Sequence, residues 1–336
     1  MLKTTFELIE YLKLDQSERE LTVISSLVYS ILKCGDKTDA DEILKQYLIH
    51  PFDFDYSYLL PVFKAFGDLS VAEKLFKSSI YQDKLIEDAN YELLEVLGHL
   101  KYEPIKSILA DYTFGNQEKN DYYISRSAVL GLLHFDCTKY QKEIETEIEK
   151  CYGKGLFPEF IPALVCKLKD RTLILEKLYE LGSEFASTDC NAGIILGFSL
   201  CGEEGRGYFK KVLFDRGWET SSTGTGTVHF AYEGLKNLEI TFKELYQEIK
   251  TISDKENLEY YLDVLFALLR RKVDDIAVNK KESFAEIHTT LFKWKNENDS
   301  IIDLAGIVDL TDEAYQIQEL IGLKMNEEAI LKNRNL

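Results

Sequence analysis

Apolar side chains recur along this chain at intervals of three and four residues, the spacing that places them on one face of an α-helix. Within residues 137–152, for example, Tyr140, Ile144, Ile148 and Cys151 form one such stripe, and four glutamates lie elsewhere around the helix axis. Long stretches with a period of two, which strands need, are missing, and only 5 prolines occur in 336 residues. The pattern therefore predicts an all-α fold.

The helical pattern itself repeats, with a period of 32 to 35 residues. Each copy ends one apolar helix, makes a short polar turn and starts a second amphipathic helix. The equivalent turn positions are Gly35, Gly67, Lys101, His134, Lys169 and Gly202, and two looser copies turn near Asn237 and Arg271. One helix pair cannot bury its apolar stripe alone, so we expect neighbouring pairs to pack against each other.

Helix-start signals fall three or four residues after several of these turns. Four copies carry a side-chain oxygen acceptor followed three positions later by Glu or Gln, which is the spacing of a capping box or a close variant of one. The four pairs are Asp39 with Glu42, Ser70 with Glu73, Thr138 with Gln141, and Thr241 with Glu244. The helix-start signals thus fall where the predicted repeat places the start of each second helix.

A period of this length, built from two helices and a tight turn, resembles the HEAT-like class of α-solenoid repeats. The resemblance rests on "VFKAFGDLSVAEKLF", "VLGHLKYEPIKSIL", "AVLGLLHFD" and "ILGFSLCGEEG". It implies a right-handed α-α superhelix of about eight helix pairs with an extended concave surface, closed by extra C-terminal capping helices. The Trp-Leu-Gly-Tyr spacing of tetratricopeptide repeats is not visible.

The stretch at 215–228 interrupts the helical pattern with glycine, serine and threonine. It is not a phosphate-binding loop of the Walker type, because no lysine follows Gly226 before Lys236. It does not fit the dinucleotide pattern either, because His229 stands where a glycine is needed. We therefore predict regular repeats at 1–214, a flexible loop at 215–228, and less regular repeats with capping helices at 229–336, all in one continuous solenoid.

The charge balance narrows the class of partner. The chain carries 58 acidic and 40 basic side chains, for a formal net charge of −18. Such a surface repels phosphate backbones and anionic lipids and attracts basic proteins. We predict a basic protein partner and neither a nucleic-acid nor a membrane partner. The six cysteines contain no C-x-x-C pair, and no apolar run approaches the ~20 residues of a membrane span, which together favour a reduced, cytoplasmic protein.

The sequence contains no recognisable catalytic constellation. His99 and His134 end the first helices of successive repeats, but neither belongs to a metal-binding or acid-base motif, and a structural role at a helix end explains both. We predict no catalytic residue, no cofactor and no metal ligand.

Two sets of residues are candidates for binding a partner. In HEAT-like repeats the second helices line the concave face, where acidic residues would form a trough that steers in a basic protein. These residues are Glu42, Glu73, Glu143, Glu147 and Glu176. The second set is Phe52, Asp53, Phe54 and Asp55, because aromatic rings among carboxylates are typical of interface hot spots. The alternative for this set is a loop between repeats that packs its rings inward.

The leading hypothesis is a non-enzymatic binding protein, in one version a bacterial immunity protein that neutralises a basic toxin. A scaffold for several partners has the same signature. The competing class is an enzyme, a lyase or hydrolase, whose site is assembled across repeats on the concave face. A DNA-glycosylase-like HEAT protein is disfavoured by the net charge of −18.

Overall fold

The computed structural model describes residues 1–115, 122–154, 159–184, 191–218 and 227–241, with scattered positions from 244 to 268. These residues are mostly helical, which confirms the all-α prediction. The chain divides into two compact units, the first holding Met1–Cys137 and the second beginning at Thr138. The predicted boundaries at 214 and 228 stay predictions. The predicted C-terminal capping helices and the turn near Arg271 lie outside the described residues.

The first unit contains eight α-helices among its described residues. They are α1 (Lys3–Tyr11), α2 (Leu21–Cys34), α3 (Lys37–Tyr47), α4 (Leu60–Phe66), α5 (Leu69–Ser79), α6 (Leu93–His99), α7 (Lys106–Phe114) and α8 (Tyr122–Leu132). Short 3₁₀ helices cover Gln16–Glu18, Phe54–Leu59 and Glu103–Ile105.

The second unit continues the helical pattern. Its described α-helices are α9 (Gln141–Lys154), α10 (Thr172–Glu184), α11 (Asn191–Leu200), α12 (Glu203–Phe214) and α13 (Thr227–Asn237). The 3₁₀ helices of this unit cover Thr138–Tyr140, Ile161–Lys167 and Arg216–Trp218. Helix α11 is buried from Asn191 to Ser199 and lies at the centre of this unit's core.

All six regular turn positions lie outside the α-helices, in short connections. Gly35 separates α2 from α3, Gly67 separates α4 from α5, and Gly202 separates α11 from α12. Gly202 has a φ of 60°, a left-handed conformation that a residue without Cβ adopts without strain. The helix, turn, helix unit that the sequence predicts is therefore present at these positions.

Polar contacts within each unit join residues about one repeat apart. Lys64 pairs with Glu95 across 31 residues of sequence, and Arg171 pairs with Glu204 across 33. The carboxylate of Asp39, which is only 1% exposed, accepts hydrogen bonds from the backbone N–H of Leu2 and the hydroxyl of Thr5. Neighbouring helix pairs are thus held together by side chains as well as by apolar packing.

Two helices start earlier in the sequence than the predicted capping boxes place them. Helix α3 is capped by Asp36, whose partner in the box is Asp39, so Asp39 is the third helical residue and not the cap. Helix α5 is capped by Asp68, not by Ser70. In both cases an aspartate two or three positions earlier makes the cap. Thr241 caps as predicted, because the backbone N–H of Glu244 donates to its hydroxyl at 3.1 Å, but the Glu244 carboxylate pairs with Arg206 and Lys210.

A short antiparallel hairpin, which the sequence did not suggest, follows α5. Its strands are β1 (Ile80–Tyr81) and β2 (Lys84–Leu85), and the turn residues Gln82 and Asp83 have φ of 49° and 58°. Two positive φ angles are what a two-residue hairpin turn requires. Strands of two residues are too short to produce an alternating pattern that could be recognised in the sequence.

Trp218 occupies the core of the second unit, at the point where the predicted flexible loop begins. It is fully buried, with its ring 6.1 Å from that of Tyr179. Gly182 on α10 leaves the space for it, since a Cβ there would come within 2.0 Å of the indole ring. Residues 215–218 are therefore anchored, whereas the glycine-rich part at 219–226 lies outside the described residues.

Candidate functional site

A pocket of about 710 Å³ lies in the first unit, and the sequence-predicted segment from Phe52 to Phe54 forms part of its wall. Helix α2 contributes Val28, Tyr29 and Leu32, whose spacing places them on one helix face. Further wall residues come from the 3₁₀ helix Phe54–Leu59 and from the segment at 88–92 ahead of α6.

The pocket contains residues that lie about one predicted repeat period apart in the sequence. Ser25, Ser57 and Asn90 all line it, and they are separated by 32 and 33 residues. Phe54 and Asp88, also in the wall, are 34 residues apart. These separations match the period of 32 to 35 residues that the sequence predicts.

Aromatic side chains dominate the wall. Six of them line the pocket: Tyr29, Tyr47, Phe52, Phe54, Tyr58 and Tyr91. Phe52 is 45% exposed and Phe54 is 65% exposed, and the ring of Phe54 lies nearly perpendicular to that of Tyr58 at 6.4 Å. Ile49, a few residues earlier, is 60% exposed. Exposed apolar groups gathered in one segment are typical of a binding surface.

Tyr47, the last residue of α3, adds an unusual polar group to this wall. Its side chain is 1% exposed, and its ring packs edge-on against Phe63 at 5.5 Å. Burial raises the pKa of the hydroxyl, so Tyr47 stays protonated and can both donate and accept a hydrogen bond. No described residue provides a hydrogen-bond partner for it.

The two aspartates of the predicted hot spot turn towards Arg19. One guanidinium nitrogen of Arg19 donates to Asp53 at 2.9 Å, and another forms an ion pair with Asp55 at 3.1 Å without hydrogen-bond geometry. All three side chains are at most 13% exposed. Burial, and then the charge of Asp53, raise the pKa of Asp55, while Arg19 opposes the shift. Asp53 still lines the pocket, but its charge is compensated from within the protein.

The carboxylates that remain for the pocket come from a segment that the sequence analysis missed. Asp88 and Glu92 both line the pocket and are exposed to solvent. Partial burial of Glu92, and then the charge of Glu95, raise the pKa of Glu92, while Lys64 and Arg126 oppose the shift. Among the described residues that line the pocket there is no lysine, arginine or histidine. Adding one predicted period of 34 residues to the positions of the Phe52–Tyr58 segment gives residues 86–92, which include Asp88 and Glu92.

The five predicted trough glutamates lie on four helices. Glu42 on α3 and Glu73 on α5 each pair with a lysine on their own helix, Lys45 and Lys77, at 2.6 Å. These two glutamates belong to the first unit, and the other three belong to the second.

The three glutamates of the second unit differ in exposure. Glu143 on α9 and Glu176 on α10 are exposed, whereas Glu147 on α9 is 5% exposed and pairs with Lys150. Glu147 therefore offers little surface to a partner. A continuous acidic trough stays a prediction.

The structure brings together the two histidines that the repeat alignment placed in related positions. The rings of His99 and His134 are 4.9 Å apart and nearly perpendicular. Beside them α6 and α8 approach closely, since a Cβ on Gly98 would come within 2.3 Å of Gly131. Burial, and then the charge of Lys64, lower the pKa of His99.

Three further observations concern metal-binding groups, cysteines and membrane-spanning helices. Within the part of the chain that the structure describes, no group of three His, Cys, Asp or Glu side chains is arranged to hold a metal ion. Five of the six cysteines lie in that part, and all five are free thiols. None of the described helices is long and apolar enough to cross a membrane.

Comparison with known proteins adds no family. The chain matches no protein-family model, and neither a curated protein nor a solved structure is significantly similar to it.

Proposed function

We propose that this protein binds a basic protein partner and carries out no chemistry of its own. The observation that carries the proposal is the pocket at Phe52–Tyr58, whose described lining combines aromatic and acidic side chains with no basic one, on a chain of net charge −18. Aromatic anchors supply binding energy at the centre of an interface, and the surrounding negative potential accelerates the approach of a basic partner.

We propose further that the helix pairs stack as a right-handed, HEAT-like superhelix. Support comes from the six turns at the predicted period and from the contacts between residues one period apart. A stack of this kind offers corresponding surfaces of successive repeats side by side, which is how the pocket draws on three copies.

The exposed rings supply the anchor part of this function. Phe52 and Phe54 leave about half of their surfaces in water, although an aromatic ring gains most when it is buried. A partner that covers both rings and Ile49 would remove this apolar surface from solvent. In one version of the proposal the protein is a cytoplasmic bacterial immunity protein, and the partner is a basic toxin whose active surface it covers.

The proposal is tested with the full chain as bait in cells of the source organism, followed by reconstitution with the purified partner. We expect a basic partner whose affinity falls at least ~10-fold as salt rises from roughly 50 to 300 mM, because screening weakens attraction between opposite charges. For the immunity version, cells that make the partner alone should stop growing, and production of both proteins should restore growth.

Two charge reversals localise the interaction. Asp88→Lys places a cation in the pocket wall, and Glu87→Lys makes the same charge change at the neighbouring exposed position outside the pocket lining. We expect Asp88→Lys to weaken binding several-fold more than Glu87→Lys. A partner that is acidic, or whose affinity does not respond to salt, would contradict the proposal.

A further inference from the structure

The pocket at Phe52–Tyr58 has a more specific ligand than a basic surface in general. We propose that it receives one arginine side chain of the partner, with the guanidinium plane against the aromatic wall and its charge facing Asp88 and Glu92. This inference rests on the proposed function, because it identifies the group of the partner that enters the protein.

The size of the pocket suits a side chain together with the backbone that carries it. Its volume of about 710 Å³ falls within the range of roughly 300 to 1,000 Å³ that is usual for small-molecule sites. An arginine side chain alone fills only part of this space, so flanking residues of the partner can also enter and contact the exposed rings of Phe52 and Phe54.

The electrostatics of the pocket select a cation. Arg19 compensates Asp53, but Asp88 has no ion pair or hydrogen bond to a described residue. Glu92 also lines the pocket; burial, and then the charge of Glu95, raise its pKa, while Lys64 and Arg126 oppose the shift. Because no cation stands among the described lining residues, a positive group in the pocket meets the charge of Asp88 without competition from a lysine or arginine of the wall.

The aromatic wall and Tyr47 favour arginine over lysine. A guanidinium is planar and weakly hydrated, so it stacks on aromatic rings and pairs with carboxylates at lower desolvation cost than an ammonium. It also carries five N–H donors. Bidentate pairs with two carboxylates use four of these donors, which leaves one for a further acceptor. Tyr47, whose buried hydroxyl has no partner among the described residues, belongs to the same wall, and a guanidinium that reaches this hydroxyl gains one further acceptor.

The test uses three blocked pentapeptides, Gly-Ser-X-Ser-Gly, in which X is arginine, lysine or alanine, and the full-length protein in low salt. Binding is followed by ligand-observed NMR and by calorimetry. We expect the arginine peptide to bind at least ~5-fold more tightly than the lysine peptide, and the alanine peptide not to bind measurably.

Two matched pairs of variants connect the binding to the pocket. Asp88→Asn should weaken binding of the arginine peptide by ~5-fold, and Glu87→Gln, which changes the net charge equally, should leave it unchanged. Tyr47→Phe should weaken binding by ~3-fold or more without lowering the melting temperature, because it removes a buried hydroxyl that has no described partner. Tyr81→Phe, at a tyrosine that is 68% exposed, is its control.

The outcomes separate this inference from the proposed function. Equal affinity for the arginine and lysine peptides, or equal effects of Asp88→Asn and Glu87→Gln, would overturn the arginine site even if a basic partner still binds. Free agmatine that binds more tightly than the arginine peptide, and does not displace the partner, would also overturn it and indicate a small-molecule site. Binding of the arginine peptide without any basic protein partner would leave the arginine pocket in place and contradict the proposed function.

Discussion

At the scale of single residues, the sequence alone gives a misleading impression of which carboxylates are available to a ligand. Asp53 and Asp55 stand between aromatic residues, which is typical of a recognition segment, but Arg19 binds both of them from 34 and 36 positions upstream. A sequence shows that a carboxylate is present and not which way it turns. Asp88, in a segment with no distinctive composition, is the carboxylate left for a ligand.

Gly182 is a single residue on which the core of the second unit depends. Gly182→Ala puts a methyl group within 2.0 Å of the Trp218 ring, so either the indole or α10 must shift. We expect the free energy of unfolding to fall by about 1 to 3 kcal/mol, as in other overpacked cores. Chemical denaturation followed by circular dichroism measures the change.

Gly207→Ala is the matched control for this substitution. Gly207 is also helical, but it is exposed and nothing lies within 4 Å of the position of its Cβ. Alanine there should raise the free energy of unfolding by about 0.5 to 1 kcal/mol, because it is the better helix former. If both substitutions stabilise the protein, the tight contact with Trp218 is wrong.

At the scale of helices, the positions of the turns were predictable and the caps were not. Helix boundaries follow from the apolar period, which averages over many residues, so the six turns were found within a few positions. A cap depends on one side chain. In "GDKTDADE" and "GDLSVAE" both an early aspartate and a later Asp or Ser could serve, and the earlier one does.

Asp68 makes the start of α5 testable. Its carboxylate accepts from the backbone N–H groups of Ser70 and Val71, and it pairs with Lys37 at 2.9 Å. Asp68→Ala removes the cap and the pair, and should lower the free energy of unfolding by about 1 kcal/mol. Asp68→Asn keeps the capping oxygen and loses only the charge, so it should cost less than half as much. Equal losses for the two variants would contradict a capping role.

The pH dependence of these variants has a definite sign. The hydroxyl of Ser70, followed by Lys37, holds the pKa of Asp68 well below its usual range. The stability that its charge contributes is therefore complete above the unfolded pKa of about 3.9 and is lost as the pH falls below it. The difference between wild type and Asp68→Asn should shrink at acid pH, whereas the penalty of Asp68→Ala should persist in part.

At the scale of the whole molecule, the net charge of −18 is the dominant property. Self-repulsion of a surface this negative destabilises the compact state, and added salt screens it. The exposed ion pairs oppose this trend, but each contributes only about 0 to 1 kcal/mol. We expect the melting temperature to rise as sodium chloride increases from roughly 20 to 200 mM.

A charge-reduced variant checks the cause of this rise. Glu143 and Glu176 are both exposed, so replacing both by glutamine removes two negative charges with little loss of packing. The double variant should show a smaller dependence of its melting temperature on salt than wild type. A melting temperature that falls with salt in the wild type would mean that the ion pairs outweigh the repulsion.

The sequence predicted the helical class and the positions of the six turns, because both depend on the apolar pattern of many residues. It predicted one part of the candidate site, the aromatic segment at Phe52–Phe54, through the composition of that segment. It missed Tyr47, Asp88 and Glu92, because each becomes notable only through what surrounds it: a hydroxyl without a described partner, and carboxylates in a pocket wall whose described residues include no cation.

The position of Trp218 also decides what spectroscopy can observe. The chain has only two tryptophans, Trp218 and Trp294, and Trp218 is buried in the core of the second unit. Emission from Trp218 will therefore report the unfolding of the second unit, whereas the described residues of the first unit, which hold the pocket, include no tryptophan. Phe54→Trp, at a rim position that is 65% exposed, would give the first unit its own fluorophore and make occupation of the pocket visible as a shift in emission.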